Sequence, residues 1–234
     1  ATYVASGVYS AIAGGFQNIA SGESSFTAGS INIAGGQYST AVGFTNTASG
    51  LSSVALGASC SATNEGAVAL CRLSSASGFS SFAAANGSAS GSWSASIGKA
   101  TVANKDNSLA LGANSTTRTN GEIRYGGLAL GTYASAGLVN LGFITTNNTT
   151  QVLTTNAVAQ TTANQAIEAS SSSIVFIEGT ILARQETTFD AKIWKVSAQY
   201  RITGTPTITQ LGTAVLTVLH ADAGATAWAV AINF

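Results

Sequence analysis

The residues that could perform catalysis are few in this chain, and their spacing does not assemble a catalytic constellation. His220 is the only histidine, so a Ser-His-Asp or Cys-His arrangement within one chain would have to use it. Asp222 follows two residues later, but no nucleophile-elbow phrase accompanies the pair. Ser96 and Lys99 imitate an S-x-x-K motif, although serine is the template residue at that place in a repeat. We therefore expect a structural or surface role for His220 and no enzymatic activity.

The two cysteines and the scattered carboxylates give no metal site and no acid pair. Cys60 and Cys71 occupy different repeat positions, which disfavours an intrachain disulfide. Without partner histidines they make no zinc site, and we expect two small buried residues. Five carboxylates are too scattered for us to propose a glycosidase pair: Glu168, Glu178, Glu186, Asp190 and Asp222. No metal and no cofactor is expected.

The composition argues against several classes of function. Charged residues make up 8% of the chain, against roughly 25% in a typical soluble domain, and the net charge is zero. Such a chain lacks the electrostatic footprint of a nucleic-acid binder. No apolar run approaches the roughly 18 residues needed to span a bilayer, so membrane insertion is not expected either. Because the chain has no Met and no visible signal peptide, we expect a processed or recombinant fragment.

A repeat of about fourteen residues fills the first half of the chain. Its starts are Ala5, Ala20, Ala34, Ala48, Ala62, Ala76, Ala89, Ala103 and Thr117. Two glycines seven residues apart divide many units into halves, as at Gly36 and Gly43. Residues 53–57 alternate small and larger apolar side chains, which is typical of a strand. Two short strands and two tight turns predict one coil of a β-solenoid, whose neighbours must stack on it.

A solenoid this thin has a consequence for assembly. Its interior is predicted to hold only Ala, Val, Ile and Leu, and a small cross-section buries too little surface to be stable alone. Cyclic oligomerisation solves this by burying one face of each rod along a common axis. We therefore predict a homo-oligomer, and a homotrimer is the expected state for a fibre.

The repeat resembles the head repeats of YadA-like trimeric adhesins. The shared features are the phrase ASGxxSxAxG and the linking Asn-x-Ala at residues 18–20 and 46–48. The resemblance covers roughly residues 5–125 and implies a left-handed parallel β-roll, three of which form a trimeric head. Four turn positions depart from the expected glycine: Asn64, Lys105, Cys71 and Ala85.

The second half of the chain predicts a neck and a tip. Residues 126–165 lose the strict period and are rich in Thr and Asn; we interpret them as a neck, with a flexible linker as the alternative. From residue 166 to 234 longer side chains and charges return, and strands are predicted at 174–184, 191–203, 214–220 and 226–234. In the second strand Trp194, Val196, Ala198, Tyr200 and Ile202 share one face. The chain is thus predicted to be all-β, with a C-terminal antiparallel β-sandwich.

The tip is similar to the C-terminal domain of certain bacteriophage tail-fibre proteins, on the phrases IEGTILARQ, AKIWKVSAQYRITG and TVLHADAGATAW. The two resemblances together imply a non-catalytic fibre of the virion that attaches a phage tail to the bacterial host surface. Its partners would be other virion tail proteins and a cell-surface polysaccharide or protein. Open alternatives are the head of a bacterial trimeric autotransporter adhesin on the cell surface, a structural filament subunit, and a tip that cleaves glycans.

The receptor-binding residues are expected in two loops of the tip, because recognition residues collect in loops. The first loop is the hairpin at 185–190, and the second is at 221–225. The candidates are Gln185, Thr187, Thr188, Phe189, Asp190 and Asp222. Among the tryptophans, Trp93 is expected to be exposed on the repeat, whereas Trp194 and Trp228 are expected in the core.

Overall fold

The structure is a computed structural model that describes residues 3–126, 135–138, 173–184, 189–203 and 207–230. The described residues are all-β, apart from one 3-10 turn at Ala223–Ala225. The chain divides into two compact units, Ala1–Glu168 and Ala169–Phe234. The predicted all-β class is confirmed, and within the described ranges no helix has the length and apolar character to cross a membrane.

The N-terminal unit is a β-solenoid of about nine turns, as predicted. Each turn contributes a short and a long strand, and equivalent strands of successive turns pair in parallel. The short-strand sheet contains β1 (Val4–Ala5), β3 (Ile19–Ala20), β5 (Ile33–Ala34), β7 (Thr47–Ala48), β9 (Ser61–Ala62), β11 (Ser75–Ala76), β13 (Ser88–Ala89) and β15 (Val102–Ala103). The long-strand sheet contains β2 (Ala11–Phe16), β4 (Phe26–Ser30), β6 (Thr40–Phe44), β8 (Val54–Ala58), β10 (Val68–Arg72), β12 (Phe82–Ala84), β14 (Ala95–Ile97), β16 (Leu109–Leu111), β17 (Ile123–Gly126) and the antiparallel β18 (Ser135–Leu138).

The interior of the solenoid is filled by small side chains stacked in columns. In the long strands the central residue points inward, and Ala41, Ala55 and Ala69 lie in register with no exposed surface. A facing column of short-strand alanines runs from Ala20 to Ala103, also fully buried. The buried apolar residues of the described solenoid are all alanine apart from Cys60. The prediction that Val, Ile and Leu share this interior is therefore wrong for its fully buried part; Ile12, which is half-buried in the first turn, lies in register with Thr27 and Ala41 at the start of the column.

Glycine occupies most of the second corners, where a long strand leads into the next short strand. Gly43 has φ 120, a region that L side chains rarely adopt, and a Cβ there would overlap the carbonyl of Gly57 in the next turn. Cys71 lies in register with Gly57 and has φ 80. At this outer position its thiol is free and exposed, so the expected burial of Cys71 is wrong. Cys60 is free and buried, as expected.

A ladder of buried side-chain amides follows each second corner. Asn18, Asn32 and Asn46 lie one turn apart, and all three are fully buried. Asn32 Nδ2 donates to the carbonyls of Ala28 at 2.9 Å and Gly43 at 2.8 Å, and also to Asn18 Oδ1 at 3.1 Å. Its own Oδ1 accepts the backbone N–H and the Nδ2 of Asn46, both at 3.0 Å. Since buried backbone groups need partners, this ladder holds successive corners together.

The ladder continues with smaller residues along the solenoid. The Cys60 N–H donates to Asn46 Oδ1 at 2.9 Å, and the Ser74 hydroxyl donates to the Leu70 carbonyl at 2.6 Å. The Ser74 bond reproduces the contact of Asn32 with the carbonyl four residues earlier. In the sequence the Asn-x-Ala phrase carried only a resemblance, and the structure adds that its asparagines at 18 and 46 belong to this ladder.

A buried ion pair closes the interior in the last turn. Arg124 lies in register with Ala110 and therefore enters the alanine column, while Glu122 stands where Ser108 stands one turn earlier. Their exposed fractions are 8% and 3%, and Arg124 Nη1 lies 2.7 Å from Glu122 Oε1. Glu122 Oε2 also accepts the N–H groups of Arg118 and Thr119. Solenoids need polar terminal repeats, and this pair supplies one at the end of the column.

Arg124→Ala is expected to destabilise the solenoid by about 3 kcal/mol, because it leaves the Glu122 carboxylate buried without its cation. Urea unfolding at a fixed chain concentration measures the change. The double variant Glu122→Ser with Arg124→Ala carries the residues of the preceding turn, so it should be more stable than the single variant. If the single variant is as stable as the double variant, Glu122 and Arg124 do not stabilise the solenoid as an ion pair.

The C-terminal unit is one four-stranded antiparallel sheet in the described residues. Its strands are β19 (Ser173–Arg184), β20 (Ala191–Thr203), β21 (Thr207–Gln210) and β22 (Val215–Ala221). The central strand β20 pairs with β19 on one side and with β21 and β22 on the other. The predicted face of β20 is confirmed: Trp194, Val196, Ala198 and Tyr200 are buried. Burial also raises the pKa of Tyr200.

The described part of the C-terminal unit contains no second sheet, so the sandwich stays a prediction. The neck at 126–165 lies outside the described residues, apart from Gly126 and β18.

The last predicted strand, at 226–234, is wrong in its described part. Residues 226–230 contain no strand, because a buried lysine takes the carbonyls that a ladder would need. Lys192 is 7% exposed, and its Nζ donates to Thr226 O at 2.7 Å and to Trp228 O at 2.6 Å. Its ammonium also lies 5.4 Å from the Trp194 ring centroid. Trp228 is half-buried beside it rather than fully in the core.

Candidate functional site

The described residues of the two loops predicted for recognition lie at one end of the tip sheet. β20 begins at Ala191 and β22 ends at Ala221, and these ends pair through the register of Lys192 with Ala221. The Asp190 carboxylate packs against Gly224 so closely that a Cβ on that glycine would overlap it. The structure therefore brings Asp190 and Asp222 to the same end of the sheet, although 32 positions separate them in the sequence.

Asp222, which follows β22, is hydrogen-bonded to the first residue of β20. Its Oδ2 accepts the Ala191 N–H at 2.8 Å, and its own N–H donates to the Ala191 carbonyl at 3.0 Å. Its Oδ1 lies 3.0 Å from His220 Nε2. The Ala191 N–H and then the His220 ring lower the pKa of Asp222, because both favour the charged carboxylate. Asp222 thus has a positioning role in the structure, beside any contact with a receptor.

The lowered pKa predicts that acid weakens this loop junction. A carboxylate with a lower pKa in the folded state stabilises fully above its unfolded pKa of about 4, and loses that contribution as the pH falls. The thermal midpoint of the tip should therefore fall more steeply below pH 4 in the wild type than in Asp222→Asn. Glu65→Gln, at an exposed carboxylate of the solenoid, is the control and should keep the wild-type acid slope. Equal slopes in the wild type and Asp222→Asn would refute the assignment.

Phe189 is the most exposed of the described candidates. Its ring is 65% exposed, and the Arg184 guanidinium carbon lies 4.9 Å from the ring centroid. This cation–π contact fixes the ring at the end of the hairpin, where it is available to a partner. The candidates Gln185, Thr187 and Thr188 lie outside the described residues.

The remaining chemical candidates are dispersed by the fold. Ser96 is fully buried, and its hydroxyl pairs with Thr101 Oγ1 at 2.8 Å, whereas Lys99 is exposed. The S-x-x-K motif is thus a feature of the repeat, as predicted. In the tip, Glu178 and Lys195 form an exposed ion pair at 2.8 Å, which raises the pKa of Lys195. An ion pair this exposed contributes little to stability.

Many of the larger apolar side chains of the solenoid lie on the outer surface of the long-strand sheet. On each side of the buried central residue, one outward residue per turn forms a column along the axis. We call these two columns the outer apolar face; they comprise Phe26, Thr40, Val54, Val68, Phe82, Ala95, Leu109 and Ile123, and Ala28, Val42, Leu56, Leu70, Ala84, Ile97, Leu111 and Tyr125. The face carries no charge. Phe26, Leu56, Ile97 and Tyr125 are 36–45% exposed.

No family model and no curated protein matches this chain.

The outer apolar face was not identified from the sequence, since alternation alone does not tell which residues point inward. Here the small residues fill the interior and the large ones face outward, the reverse of an ordinary strand on a core. A signal was present, because the larger apolar residues of 39–57 all stand outside the buried positions, which are Ser39, Ala41, Asn46, Ala48, Gly50, Ser53 and Ala55. Contiguous apolar patches on a surface mark interaction sites.

Proposed function

We propose that this chain is part of a homotrimeric adhesive fibre, with a left-handed β-roll followed by a β-sandwich tip, and that it attaches a phage tail to the bacterial host surface. The observation that carries the proposal is the charge-free outer apolar face, which extends along about eight turns of the solenoid. Three such faces around a common axis bury the large side chains that the narrow interior does not admit.

The positions of the exposed carboxylates support this assembly. The exposed carboxylates of the described solenoid are Glu23, Glu65 and Asp106, and all three lie at the first corner, which joins each short strand to the next long strand. The first corner is therefore suited to face solvent while the outer apolar face packs on the axis. Resemblance of the repeats to YadA-like heads and of the tip to phage tail fibres supports the trimer and the viral setting.

Adhesion by such a fibre needs no chemistry. Three identical tips on each fibre convert weak single contacts into avid attachment. In the tip, the exposed Phe189 and the junction of Asp190 with Asp222 form the surface that we assign to the receptor.

Light scattering tests the assembly, with an expected mass near three times that of the 23.3 kDa chain. A mass equal to one chain would refute the trimer. Immunogold labelling of the source culture tests the setting: gold at the tails of virus particles supports the phage fibre. Gold on cell surfaces would overturn it in favour of a trimeric autotransporter head. Deletion of residues 169–234 should weaken binding to host cells; if binding is as strong as that of the full chain, the tip is not a receptor-binding part.

A further inference from the structure

An aromatic pair stands exposed at the first corner of the solenoid. Trp93 is 60% exposed, and its ring centroid lies 5.5 Å from that of Phe79 in the preceding turn, with the planes at 74°. The Trp93 N–H donates to the Phe79 carbonyl at 2.8 Å, which fixes the two residues on adjacent turns. The edge-to-face arrangement leaves a large part of the indole open to solvent.

Packing and backbone geometry do not account for a tryptophan at this position. The position has a left-handed backbone in every turn, with φ 52 at Trp93 and φ 54 at Ser52. Serine occupies it at residues 24 and 80 and tyrosine at residues 9 and 38, with the same conformation. A bulky residue at positive φ is less favourable than a small one, so the indole adds strain to a site that the fold already fills with serine.

Polar groups flank the pair along the same corner. Glu65 precedes Phe79 by one turn, and Asp106 follows Ser92 by one turn, since the Ser80 N–H bonds Glu65 O and the Asn107 N–H bonds Ser92 O. Both carboxylates are exposed. At the spacing of about 4.8 Å between paired strands, the stretch from Glu65 to Asp106 extends about 14 Å along the axis. An aromatic platform between hydroxyl-binding carboxylates thus has the length of a short oligosaccharide.

We propose that Trp93 and Phe79 form a binding site for a neutral polysaccharide on the side of the solenoid. The apolar C–H face of a pyranose ring stacks on the exposed indole, and Glu65 and Asp106 accept hydrogen bonds from the hydroxyl groups of neighbouring sugars. Two carboxylates disfavour uronic or sialic acids through like-charge repulsion. This site deepens the proposed adhesive function, on which it rests, by naming the class of receptor and adding a second contact remote in sequence from the tip.

Fluorescence of the full chain tests the site, because Trp194 is buried and Trp93 is the tryptophan most open to quencher. The probes are maltohexaose, laminarihexaose and mannohexaose, with trigalacturonic acid as the charged comparison. We expect at least one neutral probe to protect the chain from iodide quenching and to bind more tightly than the charged one. Trp93→Ser should weaken that binding about tenfold or more, which corresponds to roughly 1.4 kcal/mol. Trp93→Tyr should restore most of it, since Tyr38 already occupies this position.

The controls separate this site from the proposed function as a whole. Tyr38→Ser changes an exposed aromatic four turns away and should leave probe binding unchanged. Binding of no neutral probe, or equal binding by Trp93→Ser and the wild type, would overturn the site. If Trp93→Ser attaches to host cells as well as the wild type does, the adhesive function is supported and the role of the glycan site in attachment is refuted. If the wild type binds a neutral probe but attaches to no host cell, the glycan site is supported and the adhesive function is refuted.

Discussion

A lysine in place of Leu56 should convert the proposed trimer into single chains. Leu56 lies in the middle of the outer apolar face, in register with Val42 and Leu70. Assembly around a common axis would bring three lysines together in an apolar interface without counter-charges, and each buried unpaired charge costs several kcal/mol. The expected result is a threefold drop in mass by light scattering at the same chain concentration.

The chain offers a closely matched control for this variant. Leu51 is 38% exposed and Leu56 is 36% exposed, so a lysine changes the solvent-exposed surface of one chain almost equally at the two positions. Leu51 lies at the first corner, among the carboxylates, where the proposed trimer faces solvent. Leu51→Lys should therefore remain trimeric, and dissociation of both variants or of neither would contradict the assigned interface.

A second substitution at the same site guards against misfolding. Leu56→Ala keeps the face neutral and should give a trimer that dissociates on dilution, because each chain loses part of its buried apolar surface. Circular dichroism would establish that the β-solenoid persists in each variant. A folded Leu56→Ala trimer as resistant to dilution as the wild type would argue that this face does not form the interface.

Asn32→Leu should destabilise the solenoid by about 5 kcal/mol, although leucine is close to asparagine in size and more apolar. The substitution removes every side-chain hydrogen bond of the central ladder amide. It leaves the buried Asn46 N–H without its acceptor and removes the amide donor from the Ala28 and Gly43 carbonyls, and each buried unsatisfied group costs about 1–3 kcal/mol. Urea unfolding at constant chain concentration measures the loss, since stability of an oligomer depends on concentration.

Asn32→Ser tests whether the hydrogen bonds themselves are responsible. Serine is the residue that the same ladder uses at Ser74, where its hydroxyl bonds the carbonyl four residues earlier. The serine variant should therefore retain one ladder bond and lose less stability than Asn32→Leu, despite leaving more empty space. If leucine is the better tolerated of the two, the solenoid depends on filled volume rather than on the amide ladder.

The repeat period determined the solenoid, because a unit of two short strands cannot bury its own apolar residues and must stack on copies of itself. Local alternation likewise determined β20, where the buried face of Trp194 and Val196 was read correctly. These features follow from spacing along the chain, and spacing is what a sequence displays directly.

Only the tertiary structure decided which side of each strand faces inward. Alternation places Ala55 and Leu56 on opposite sides of the strand but does not tell which of them faces inward. In the folded solenoid Ala55 is fully buried between the two sheets and Leu56 is exposed. The Asn32 side chain likewise faces inward, because its amide donates to the Ala28 carbonyl of its own turn and the Gly43 carbonyl of the next turn. Contacts between positions fourteen or more residues apart decided both outcomes.

The tip shows the same division between local and long-range information. Its hairpin and its strand alternation follow from neighbouring residues, whereas the contact between Asp222 and Ala191 joins the ends of separate strands. In the sequence Lys192 is one of several polar residues of its strand. In the structure it is buried, and its ammonium donates hydrogen bonds to the carbonyls of Thr226 and Trp228, where no strand forms. The sequence by itself determined the repeat, the solenoid and the alternation of β20. The tertiary structure decided which residues of each strand are buried, because burial depends on which face of the strand lies against another sheet.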